Sequence, residues 1–114
     1  MAANKADLLQ GTLAMLILKS LVARDLHGYS IARWIEDVTK ESLAIGEGSL
    51  YPTLRRLEDR NFVKSEWRLS DTGRRVRVYS LTRAGRAYLK NEAASWVEFA
   101  RAVTLVLQAE PALV

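Results

Sequence analysis

Between Asn61 and Thr82 the hydrophobic period is 2, and on both sides of that stretch it is 3.6. The chain must therefore fold as helices around one β-hairpin. Val63, Ser65, Trp67 and Leu69 alternate with Lys64, Glu66 and Arg68. A second strand from Arg74 to Leu81 puts Arg75 and Arg77 on one face and Val76 and Val78 on the other. Ser70, Asp71, Thr72 and Gly73 form the turn, with Gly73 available for a positive φ and Asp71 placed to bond nearby backbone N–H groups. Arg74, Arg75 and Arg77 thus collect at the hairpin's tip and returning edge. Like charges held this close repel one another and become favourable when phosphates neutralise them. Protection of an exposed strand edge is the competing reason for such charges.

The helix before the hairpin is specified by EGSLYPTLRRLEDRNF, Glu47 to Phe62. Leu50, Leu54 and Leu57 recur at i, i+4 and i+7, a single face that needs a core. Ser49 is the expected N-cap, and Pro52 is expected in the first turn, where its missing N–H costs little. Ser49, Tyr51, Arg55 and Arg56 then lie on the exposed side, which is what a helix entering a DNA major groove requires. A merely solvated face carries such residues too.

Upstream, apolar residues cover nearly every side of a helix expected over Asp7 to Ala23, including Leu9, Leu13 and Leu16. A helix apolar all round is covered on more than one face, by a second subunit or by a tightly wrapped core. His27 and Gly28 mark a break, after which Tyr29, Ile31, Ala32, Ile35 and Val38 form a second helix to about Thr39. His27 reads as a capping or packing residue, and Leu43 and Ile45 as apolar anchors of the loop that follows. Helix, short connection and arginine-bearing helix is the layout of a helix-turn-helix.

Thr82 is a plausible N-cap for a helix reaching about Gln108, with Pro111 ending it. Leu89, Ala93, Trp96, Ala100, Val103 and Leu107 follow at alternating spacings of four and three, a heptad seam. At 1.5 Å per residue such a helix is about 40 Å long, too long to be buried on so small a domain. Part of it is expected to pack on a second copy, forming a homodimer. Trp96 lies on this seam between Ala93 and Ala100, where it either fills the dimer core or offers a flat surface to an aromatic effector.

Charge is unevenly distributed. Residues 46–90 carry eleven Lys and Arg against five Asp and Glu, a net charge of +6, whereas residues 1–45 are neutral and residues 91–114 carry −2. A positive middle third is the pattern of a chain that meets a polyanion there. With one histidine and no cysteine, neither a multi-histidine metal site nor a thiolate site is expected, and no cofactor is implied. There is no glycine-rich phosphate loop and no paired carboxylates in a plausible cleft, so an enzyme is not expected. The apolar run Leu13 to Leu18 falls well below the roughly 20 residues that span a bilayer, and neither a membrane span nor a signal peptide is expected.

The expected architecture is α+β and mostly helical: a winged helix-turn-helix of three helices plus a β-hairpin wing over residues 1–82, with a C-terminal dimerisation helix over 83–110. Four segments in order resemble the PadR family of bacterial transcriptional regulators: GTLAMLILKSL at Gly11 to Leu21, HGYSIARWIE at His27 to Glu36, GSLYPTLRRLEDRNFV at Gly48 to Val63, and VYSLTRAGRAYL at Val78 to Leu89. The resemblance implies a cytoplasmic, homodimeric repressor that reads an inverted repeat in double-stranded DNA. In that reading Ser49, Tyr51, Pro52, Arg55 and Arg56 belong to the recognition helix and Arg74, Arg75 and Arg77 to the basic wing. It also implies release by a phenolic or other small aromatic compound, with Trp96 as the residue able to line such a site. A winged-helix module that binds an acidic protein surface is the alternative.

Overall fold

The computed structural model describes residues 12–112. Leu9 and the start of the first expected helix lie outside them. Helix α1, Leu13–Ser20, ends three residues before the expected Ala23. Its last turn tightens, with Leu21 N–H donating to Leu18 O at 3.1 Å and Val22 N–H to Lys19 O at 3.2 Å, and the chain turns away.

A two-residue strand, β1, Leu26–His27, follows. Two residues carry no readable periodicity, so the alternation rule misses it. The His27 ring caps helix α2, Gly28–Val38, as expected, its Nδ1 accepting the Ser30 N–H at 3.3 Å. After α2 the chain turns through Lys40 and Glu41, both at positive φ. The Glu36 carboxylate accepts the Ile45 N–H at 3.0 Å and pins the loop, whose Ile45 is buried.

Helix α3, Glu47–Asp59, starts earlier than its capping signals suggest. Gly46, in extended conformation, is the N-cap, and its carbonyl accepts from Ser49 and Leu50 N–H. Ser49 is therefore a helical residue and not the cap, and Pro52 sits in the second turn. There its ring nitrogen cannot donate to the Gly48 carbonyl, one turn back. The helix closes with Asn61 at φ +64°, Asn61 N–H bonding Glu58 O and Phe62 N–H bonding Leu57 O, both at 2.9 Å. These are the two bonds of a Schellman stop, with asparagine at the left-handed position.

Strands β2, Val63–Leu69, and β3, Arg75–Leu81, pair antiparallel from Val63↔Leu81 to Leu69↔Arg75, and β1 joins the other edge of β3. The sheet order is β1-β3-β2. Gly73 takes the positive φ expected of it, +82°. The bonding expected of Asp71 is made by Ser70, whose hydroxyl accepts the Arg74 N–H at 3.2 Å.

Helix α4 runs Arg83–Gln108, with Thr82 as its N-cap, the hydroxyl accepting the Gly85 N–H at 2.9 Å. The same hydroxyl donates to Asn61 O at 2.7 Å, and Thr82 N–H donates to Phe62 O at 3.1 Å. The root of α4 is thereby tied to the end of α3. Leu13, Ile17 and Leu18 of α1, Ile31 and Ile35 of α2, and Leu50, Leu54 and Leu57 of α3 form one core with Val63, Tyr79 and Leu89. Each such side chain contributes about 1.5–3 kcal/mol by leaving water. Together they hold α3 against the domain by one face and leave its opposite face outward.

Candidate nucleic-acid interface

The outward face of α3 carries Ser49, Tyr51, Pro52, Arg55 and Arg56, all exposed. Because Leu50, Leu54 and Leu57 are at most 2% accessible, rotation of the helix is fixed, and the arginines cannot turn inward. Arg56 Nη2 donates to Thr53 Oγ1 at 3.0 Å, and that hydroxyl donates back to Ser49 O at 2.7 Å. Arg56 is thus held along the helix while remaining charged and exposed. The salt bridges among the described residues join Arg33 to Asp37, Arg68 to Asp25 and Glu66, and Arg77 to Glu58. Arg55 and Arg56 take part in none of them, although Glu58 and Asp59 follow within four positions.

Tyr51 also packs within the chain. A Cβ placed on Gly28 would lie 2.7 Å from the Tyr51 hydroxyl oxygen and 2.8 Å from its ring, so the tyrosine rests directly on the first residue of α2. That contact ties the two helices of the helix-turn-helix together and fixes the ring's height on α3. Behind it, burial raises the Tyr79 phenol above its ordinary value, with Arg77 pulling the other way.

On the wing, Arg74, Arg75 and Arg77 are all exposed, but they are not equivalent. Arg75 lies over the Trp67 ring, 5.0 Å from its centroid, and Arg77 lies 5.8 Å from it. Trp67 and Leu69, which share a face with the inward-pointing Val63, are 55% and 73% accessible because the hairpin extends past the core that receives Val63. Alternation marks which face a side chain is on; it does not tell where the core ends. Arg77 also donates through Nε to Ser65 Oγ at 2.8 Å and pairs with Glu58 at 3.4 Å, while Ser65 donates to Glu58 at 2.7 Å. Glu58 and Ser65 are the functional candidates that periodicity does not mark. Their pairing follows from the hairpin register, which sets Ser65 beside the Trp67↔Arg77 pair. Arg68, on the opposite face, is committed to Glu66 and Asp25; those bonds, Glu66 first, raise its already high pKa.

Away from this face, α1 and the first half of α4 enclose a groove of about 860 Å3 lined by Met15, Leu16, Leu43, Ala93 and Trp96, with Lys19, Arg86 and Lys90 also on its walls. Of the residues expected at the dimer contact, Leu13 and Leu89 are buried in the chain's own core and not on its surface. Leu16, Ala93 and Ala100 are half-buried. Trp96, Val103 and Leu107 are exposed, as are Phe99, Leu105 and Val106 nearby.

A family model described as the transcriptional regulator PadR-like family matches residues 17–91, the span that holds the helix-turn-helix, the wing and the root of α4. The chain belongs to the PadR-like family of transcriptional regulators. This PadR-like chain is 30% identical over 105 residues to uncharacterized protein X of Lysinibacillus sphaericus, covering 91% of the chain and 95% of that protein. It is 38% identical over 88 residues to a transcriptional regulator of Mycobacterium tuberculosis, covering 76% and 78%. Among solved structures it resembles a transcriptional regulator from Clostridium thermocellum, with TM-score 0.78 and 30% identity over 86% of this chain and 95% of that one. A PadR family transcriptional regulator from Eggerthella lenta is similar with TM-score 0.79 and 28% identity, covering 92% and 89%. The winged-helix fold expected for this PadR-like regulator is the one found. No helix among its described residues is long and apolar enough to cross a membrane.

Proposed function

We propose that this transcriptional regulator acts as a homodimeric repressor that binds an inverted-repeat operator and blocks it by occupying it. Each subunit places α3 in one major groove, with half-site centres about one helical turn or a multiple of it apart. Ser49, Tyr51 and Arg55 or Arg56 meet base edges, Pro52 shapes the helix that carries them, and wing arginines meet phosphates. The observation that carries this reading is the pair Arg55 and Arg56, exposed on a rotationally fixed helix and engaged by no acidic side chain among the described residues. Unneutralised guanidiniums beside a basic wing favour a polyanion, and their bidentate geometry suits guanine.

The seam of α4 beyond the core, from Ala93 through Trp96, Ala100 and Val103 to Leu107, supplies the dimer contact together with Leu16. In this division residues 83–110 are the dimerisation element and residues 1–82 the DNA-binding domain, although Leu89 roots the element in the core. A small aromatic effector enters beside Trp96 and alters the spacing of the two α3 helices. With Trp34 and Trp67 replaced by Phe, titrating flat aromatic compounds is expected to quench the remaining fluorescence, and an unchanged spectrum across such compounds removes the effector from the scheme.

Binding of the DNA immediately upstream of the chain's own gene, measured at two salt concentrations, is the direct test. Arg56→Ala is expected to cost about 1–3 kcal/mol and to relax specificity. Arg75→Ala is expected to weaken all sequences alike and to flatten the salt dependence. If both variants bind that fragment like the parent, the assignment is wrong, and a flat salt response in the parent points instead to a protein partner.

A further inference from the structure

The three wing arginines divide into two with no acidic partner among the described residues and one that is fastened inward. Among the described residues Arg74 and Arg75 make no salt bridge, whereas Arg77 is held by Glu58 at 3.4 Å and by Ser65 at 2.8 Å. Glu58 belongs to the last turn of α3, and Ser65 and Arg77 belong to β2 and β3. One carboxylate therefore bridges the recognition helix and both strands of the wing. Its Oε2 accepts from the Ser65 hydroxyl at 2.7 Å and faces the Arg77 guanidinium, which itself bonds the same hydroxyl. Three groups closed in a ring restrain one another's rotamers more than any pair alone. The Glu58 side chain is one-third accessible, so the ring is only partly screened by solvent.

We propose that Glu58 is a positioning residue that makes Arg77 a strut between α3 and the wing instead of a phosphate ligand. This rests on the DNA-binding reading above and sharpens it. The recognition helix and the wing must meet the duplex together, and the angle between them decides whether both can. Glu58, Ser65 and Arg77 set that angle, and Arg74 and Arg75 are left as the wing's phosphate ligands. A carboxylate that occupies Arg77 also withholds one cation from indiscriminate backbone contact.

The test measures the salt dependence of binding to a mixed-sequence duplex, so it needs no knowledge of the operator. In the parent chain Arg77→Gln is expected to leave the slope of log K against log salt unchanged, because no phosphate contact is lost. Glu58→Gln keeps an acceptor for Ser65 but releases Arg77, and the slope is expected to steepen by about 0.9, the contribution of one added phosphate contact. Combining the two changes is expected to restore the parental slope, which a general loss of repulsion by Glu58 would not do. Flattening by about 0.9 in the Arg77→Gln chain makes Arg77 a phosphate ligand and overturns the proposal. So does a steeper slope that survives in the double variant. Should Glu58→Gln fold poorly by circular dichroism, Arg77→Gln decides alone. A parent chain with no salt dependence removes the DNA-binding reading itself, a result distinct from either slope change.

Discussion

Two glycine-to-alanine changes, chemically identical, are expected to move stability in opposite directions. At Gly85 an added Cβ would lie 2.0 Å from the Phe62 carbonyl oxygen and 2.9 Å from Leu81 Cδ1. Ordinary contact needs about 3.5 Å, so helix and carbonyl must part by about 1.5 Å. The carbonyl cannot yield alone. It accepts the Thr82 N–H, and its neighbour Asn61 accepts the Thr82 hydroxyl, so moving it breaks the latch between α3 and α4. Overpacking costs about 1–3 kcal/mol. The two hydrogen bonds add about 1 kcal/mol each, and alanine's better helix propensity returns about 1 kcal/mol. Gly85→Ala is therefore expected to destabilise by about 2–4 kcal/mol, against a typical total of about 5–15 kcal/mol for a domain. At Gly48, inside α3, nothing lies within 4 Å of the added Cβ. There the same change is expected to stabilise by about 0.5–1 kcal/mol. Thermal and urea unfolding followed by circular dichroism, at one chain concentration for parent and variants so that self-association does not enter the comparison, measures both. The Gly85 variant is expected to melt on the order of 10 °C lower. Equal melting temperatures for the two variants, or a Gly85 variant as stable as the parent, would refute the close approach of α4 to Phe62.

Val103→Asp places a charge on the heptad seam of both copies and is expected to weaken self-association by about a hundredfold, the loss of about 1.5 kcal/mol of apolar burial from each of two partly exposed side chains. Sedimentation equilibrium reads this directly, and an unchanged mass distribution would mean that the seam is not the contact. The Tyr79 phenol is held above its ordinary value near 10, chiefly by burial, so the folded chain holds that proton more tightly than the unfolded chain. Its contribution is fully present below pH 10 and is lost as pH rises through the raised folded value. Tyr79→Phe, compared with the parent from pH 8 to 11 by chemical unfolding, is expected to lose less stability at the alkaline end; parallel curves would contradict the shift.

What could be read in advance divides along a physical line. Extended periodicity gave α3's buried leucines, and local chemistry gave the caps at His27 and Thr82 and the left-handed Gly73, because each depends on residues adjacent along the chain. The start of α3 differs from the expected one because a serine that can cap is no bar to a glycine three residues earlier doing so. Strand β1 is too short to have a period. The exposure of Trp67, the burial of Leu13 and Leu89, and the Glu58–Arg77 pairing all depend on where distant segments meet, which alternation along one strand or helix does not encode. The exposed arginines of α3 were legible in turn because three leucines on the opposite face leave them no other direction.

The latch at Thr82 makes α4 a lever whose fulcrum is the exit of α3. Over its 26 residues, about 39 Å at 1.5 Å each, one degree of tilt at the root sweeps the far tip through about 0.7 Å. The gearing runs the other way as well. For a rigid α4 the same geometry equates a displacement of a methyl group's width, about 4 Å, near the tip with about 6° at the root, and the same displacement beside Trp96, half-way along, with about twice that.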